Sequence, residues 1–100
     1  MKENITSEQW QELGKTERRK LEDFFERKHV YDGKGNMSLT VVNMMEFLGE
    51  KNIKIYSDIV QWGGMGKFCW KVKPFDLNDY FEATELCDAL WLAVKNKLIR

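Results

Sequence analysis

Over the end of the chain apolar residues return every fourth position, at Leu86, Leu90, Val94 and Leu98, and Ala83, Cys87 and Trp91 widen that row into a stripe. Such spacing marks one face of a helix. Acids crowd its start (Asp76, Asp79, Glu82, Glu85, Asp88) and bases its end (Lys95, Lys97, Arg100), the polarity that a helix dipole favours. Asp79 and Glu82 also have the spacing of a capping box. The pattern predicts a long amphipathic helix from Asp79 to Arg100 that forms the main wall of the core.

Helical periodicity also opens the chain. In Ile5-Thr6-Ser7-Glu8-Gln9-Trp10, Thr6 caps, Gln9 closes a capping box, and Ile5 and Trp10 occupy the two positions of a hydrophobic staple. Gly14 ends this short helix, and Thr16 is placed to cap a second one from Glu17 to about Lys28. A single continuous helix would draw Glu17 onto the apolar stripe of Trp10, Leu13, Leu21 and Phe24, where a charge is costly. Val30 to Met37 reads as a loop around Asp32-Gly33-Lys34-Gly35-Asn36. Ser38 then caps a third helix, Leu39 to about Gly49, with Val41, Met44, Met45 and Leu48 at helical spacing and Gly49 as C-terminal cap.

From Ile53 the period shortens. Ile53 and Ile55 alternate with polar or amphipathic residues, Ser57-Asp58 interrupts, and strict alternation returns from Lys67 to Lys73 after Gly63-Gly64-Met65-Gly66. This predicts a hairpin or a three-stranded meander. Phe68, Trp70 and Val72 share one face of the last strand, and Lys67, Cys69, Lys71 and Lys73 the other. With Gly63 to Gly66 as the loop, Trp62 pairs with Lys67, Val60 with Cys69, and Asp58 stands opposite Lys71. A loop one residue longer or shorter turns Trp62 inward. The order of elements reads as α+β, a single domain over residues 1–100 with three helices, a small antiparallel sheet and a final helix.

Sixteen basic and sixteen acidic residues cancel, which removes the general electrostatic argument for sequence-independent nucleic-acid binding. Locally the balance breaks: Lys67 to Lys73 carries lysines and no acid, while Pro74 to Asp88 carries acids and no base. Cys69 and Cys87 lie among apolar residues without a CxxC pair, and read as reduced, small core residues. A polar start without a secretory apolar region, and no apolar run near the roughly 20 residues of a membrane span, place the protein in the cytoplasm and off the membrane.

Catalytic constellations are missing. His29 is the only histidine and sits at the expected end of a helix, where the dipole accounts for it. No nucleophile has a second histidine to activate it, and two cysteines with one histidine make no familiar zinc spacing. The acids from Asp76 to Asp88 lack the glycine bend of a calcium loop. Gly63-Gly64-Met65-Gly66-Lys67 lacks the serine or threonine, the first glycine and the helix of a phosphate loop. Neither a cofactor nor a metal is implied, and the reading is not of an enzyme.

The segments ITSEQW, SLTVVNMMEFLGE and ELCDALWLAVKNKL together resemble small accessory proteins of phages and prophages of Gram-positive bacteria, in which ITxEQW, MIEFL and LCDALW patterns recur in that order. The resemblance spans most of the chain. It departs over Asn52 to Lys73 and in the glycine-rich loop before Ser38. It implies an intracellular phage or mobile-element setting and carries over no catalytic residues. Since the shared segments are caps and core, an individual function belongs to the divergent hairpin.

The expectation is therefore a non-enzymatic protein that binds a host macromolecule, foremost a protein, through the hairpin of residues 59–73, with inhibition of a host or defence system as one use. Trp62 and Met65 anchor, and Lys67, Lys71 and Lys73 form the rim. The alternative is nucleic-acid binding by the basic hairpin and a helix pair, with Lys15, Arg18, Arg19 and Lys20 contributing. The interleaved Glu17, Glu22, Asp23 and Glu26 weigh against that reading. A plain edge strand guarded by lysines is the mundane account of the same residues. Either a monomer or a homodimer is compatible with the sequence.

Overall fold

The computed structural model describes residues 3–25, 38–62 and 65–99, and for residues 50, 58–62 and 65–67 the backbone alone. Its first and third helices begin with the same device. Before α1 (Ser7–Gln11), Thr6 accepts from the Gln9 N–H and the Gln9 side chain accepts from the Thr6 N–H. Before α3 (Val41–Leu48), Thr40 and Asn43 do the same. Ile5 and Trp10, and Leu39 and Met44, occupy the staple positions beside these two caps, all four side chains buried in one apolar cluster. The two starts are also tied to each other, because Ile5 N–H donates to Leu39 O at 2.9 Å and Val41 N–H to Glu3 O at 3.1 Å, around an antiparallel bridge of Asn4 with Thr40. This tie displaces the expected cap. Ser38 lies outside the helix and its hydroxyl accepts from Asn4 Nδ2, leaving Thr40 to close the box.

Helix α2 (Lys15–Phe24) starts two residues before the expected Glu17, with Gly14 rather than Thr16 at its N-cap and no side-chain cap. A Cβ on Gly14 would stand 2.8 Å from Glu17 Oε2, so the bare glycine leaves room for that carboxylate over the first turn. Phe25 closes α2, its N–H donating to Leu21 O. The expected extension to Lys28, His29 and the glycine-rich loop lie outside the described residues. Gly49 ends α3 as expected, at φ +84°, where a Cβ would meet Asn52 Nδ2 at 2.6 Å. That conformation favours glycine.

After a 3-10 turn, Glu50–Asn52, strands β1 (Ile53–Trp62) and β2 (Met65–Pro74) pair antiparallel along their whole length, and β3 (Phe81–Ala83) joins the far side of β2 opposite Trp70 to Val72. Two expectations are corrected here. Ser57-Asp58 does not interrupt β1. The connection is Gly63-Gly64 alone, so Trp62 faces Met65, Val60 faces Lys67, and Asp58 faces Cys69 instead of Lys71. The displacement is two residues, so every position keeps its expected face.

The final helix, α4 (Leu86–Ile99), is shorter than the pattern implied. Phe81 to Ala83 form β3, and Asp79 accepts from the adjacent Tyr80 N–H instead of capping a helix. Phe81 and Ala83 on one side with Glu82 on the other is strand alternation, which pairing to β2 fixes, although the surrounding acids read as a helix start. Helix α4 packs between β2 and β3 on one side and α2 and α3 on the other. Cys87, Ala89, Leu90, Trp91, Ala93, Val94 and Leu98 are all buried, more than a single apolar stripe supplies. One apolar cluster joins these side chains to residues of every described helix and of the inner sheet face.

Polar contacts fix α4 at its margins. Gln9 Nε2 donates to Asp88 Oδ1 at 2.8 Å, and Lys95 pairs with Glu12 at 2.9 Å. Lys20 Nζ donates to Leu98 O at 2.9 Å and Lys97 Nζ to Phe47 O at 2.7 Å. Each lysine thus satisfies a carbonyl in the last turn of another helix, where the dipole favours a cation. Among the described residues, no helix is long and apolar enough to cross a membrane.

Candidate functional site

The sheet has two unlike faces. Ile53, Ile55, Trp70, Val72, Pro74, Phe81 and Ala83 share the face turned to α4. The opposite face carries Lys54 and Tyr56 from β1, Cys69, Lys71 and Lys73 from β2, and Glu82 from β3. By register, the expected site positions Trp62, Met65 and Lys67 belong to this same outer face as Lys71 and Lys73. Their own side chains lie outside the described residues.

Lys71 is the centre of the described part. It stands opposite Tyr56 on one side and Glu82 on the other. Its Nζ lies 4.7 Å from the Tyr80 ring centroid and 6.0 Å from that of Tyr56, and Lys54 Nζ lies 5.7 Å from Tyr56. Cations over tyrosine faces contribute about 0.5–1 kcal/mol each where exposed, enough to hold the lysine stems against the sheet. Lys54 and Lys73 face each other directly, and like charges so placed repel. That pairing does nothing for the hairpin itself.

Cys69 is buried on this outer face and stands apart from the main apolar cluster, to which Cys87 belongs. Neither cysteine is joined in a disulfide. Beyond the reach of β3 the hairpin continues without a third strand among the described residues, and there Phe68, on the α4-side face, is 48 % exposed and packs edge-on against Trp70 at 5.5 Å. The hairpin therefore outruns the core that its base covers.

At the root of the hairpin, a half-open recess of about 430 Å³ is lined by Leu48, Asn52, Ile53, Pro74, Phe75, Asp76 and Lys97. Lys97 is already committed to Phe47 O and to the Phe47 ring, 4.6 Å away. Among the described residues no group of three histidine, cysteine, aspartate or glutamate side chains could hold a metal. Glu8 has its carboxyl held below the usual range by its backbone N–H and the Thr6 and Ser7 hydroxyls, but it lies on α1, away from the sheet.

Sequence reading missed Lys54, Tyr56 and Tyr80. The first two were accessible from period-2 spacing, since even positions of β1 share the face of odd positions of β2. Tyr80 was hidden because its neighbourhood read as helix, and only the β2–β3 pairing brings it to Lys71. No family model, curated protein or solved structure matches the chain.

Proposed function

We propose that the chain is a non-enzymatic binding protein whose β1–β2 hairpin engages an acidic surface of another protein. Lys71 and Lys73, with Lys67, supply the charge, Tyr56 and Tyr80 supply rigid aromatic area around it, and Trp62 and Met65 anchor the tip. The observation that carries this reading is the register, which gathers lysines and aromatics on the sheet face turned away from α4. Aromatic and cationic residues together, on a strand pair that outruns its core, exceed what guarding an edge requires. The resemblance to phage accessory proteins supports a host protein as the partner, the cytoplasm as the place, and interference with a host process, a defence system among them, as the outcome.

Capture from lysate of the source cells tests this, run with and without nuclease for the parent chain, Trp62→Ala and Lys71→Glu/Lys73→Glu. The expected result is one protein that survives nuclease and is lost from both variants while their melting temperatures hold. Recovery abolished by nuclease transfers the face to nucleic acid, and retention by both variants removes the hairpin from the function.

A further inference from the structure

The sheet order leaves β1 with one edge unpaired among the described residues. It is long for an open edge, Ile53 to Trp62, and holds no proline; such an edge invites another strand. Among the described elements, β1 packs most extensively on β2. We propose that the occupant is β1 of a second copy, paired antiparallel about a two-fold axis at Tyr56.

The choice of a second copy rests on self-complementarity. A two-fold axis normal to the sheet keeps outer positions opposite outer positions, so it must pass through a residue. With the axis at Tyr56, Lys54 stands opposite Asp58 of the partner subunit twice over, Ile53 opposite Ile59 of the partner subunit, and Ile55 opposite Ser57 of the partner subunit. Neighbouring registers lose this. An axis at Ile55 sets lysine against tyrosine, one at Ser57 sets lysine against valine and tyrosine against aspartate, and one at Asp58 sets the two aspartates against each other.

The register also resolves a conflict within each hairpin. Lys54 faces Lys73 across β2, and a carboxylate position across the free edge offsets that repulsion. The assembled sheet would run through both copies, joining two Lys71–Tyr56 faces into one surface around the axis. Lys54 and Tyr56 belong to the same outer face as Lys71 and Lys73, but the pairing is read from self-association of the chain alone, so it can fail without the binding reading failing.

Sedimentation equilibrium of the full chain over a micromolar to millimolar range tests it. The mass should rise with concentration from 11.9 kDa toward twice that value. Lys54→Asp and Asp58→Lys should each weaken association on the order of tenfold, since each sets like charges opposite at two symmetric places. The combined swap should restore the parent constant to within roughly threefold. Lys54→Asp places a carboxylate opposite Lys73, so it leaves the hairpin's own pairing intact and carries the test alone if Asp58→Lys fails to fold. A single-copy mass throughout, association indifferent to both single changes, or single changes that the swap does not rescue would each overturn the proposal.

Discussion

Replacing Thr40 by alanine should cost more than the chemically identical change at Thr6. Both hydroxyls accept from the N–H three residues on at 3.1 Å. Thr6 is exposed, so water can take over the abandoned Gln9 N–H; Thr40 is half-buried, and its hydroxyl also donates to Asn43 Oδ1 at 2.9 Å. Loss of an N-cap costs about 0.5–2 kcal/mol, with the upper end belonging to sites that water cannot repair. We expect about 0.5–1 kcal/mol for Thr6→Ala and about 1.5–2 kcal/mol for Thr40→Ala. For a chain of this size these correspond to falls in Tm of roughly 3–6 °C and 8–12 °C. Urea and thermal melts followed by far-UV circular dichroism would read both. Because the two starts share the Asn4–Thr40 bridge, the double variant should depart from additivity by at least about 0.5 kcal/mol. Equal costs at the two sites, or strict additivity, would refute the reasoning.

Leu90→Ala, at a fully buried position in the middle of α4, should cost about 2–5 kcal/mol in the same melts, and a smaller loss would mean that the surrounding helices collapse into the space. Gly49→Ala should cost about 1–3 kcal/mol, because the φ of +84° and the approach of Asn52 to 2.6 Å both exclude a Cβ; an unchanged midpoint would contradict that geometry. The Glu8 carboxyl, held below its ordinary value of 4.5 by hydrogen bonds from its backbone, Thr6 and Ser7, adds stability above the unfolded pKa that is lost as pH falls through the lowered one. An NMR titration should find Glu8 ionising below that ordinary value, and Glu8→Gln should flatten the acid limb of the stability curve. A midpoint at or above the ordinary value would contradict the capping geometry.

Apolar periodicity made the core legible. Leu90, Val94 and Leu98 are buried as their four-residue spacing implies, the Thr6–Gln9 capping box forms as read, and Ile5 and Trp10, the two staple positions, are both buried. Errors arose where local chemistry offered equal candidates. Ser38 and Thr40 both precede an apolar run; Thr40 won because the chain from Glu3 to Ile5 pairs across it. Phe81 to Ala83 carries the same alternation as a strand and the same acids as a helix start, and only the distant edge of β2 selects between them. The hairpin loop shrank from four residues to two because Met65 and Gly66 pair with Trp62 and Gln61. Lys71 and Lys73 kept their face through that shift, and Tyr56 follows from the same alternation, whereas Tyr80 needed the β2–β3 pairing to reach Lys71.

The central claim is that the outer face of the hairpin, and no helix face, meets the partner. Amide hydrogen exchange on the chain with and without its captured partner measures this directly. The account predicts added protection in β2 and at the Gly63-Gly64 tip, with α1 and α2 unchanged. Protection confined to α1 and α2, or absent from β2, would contradict it.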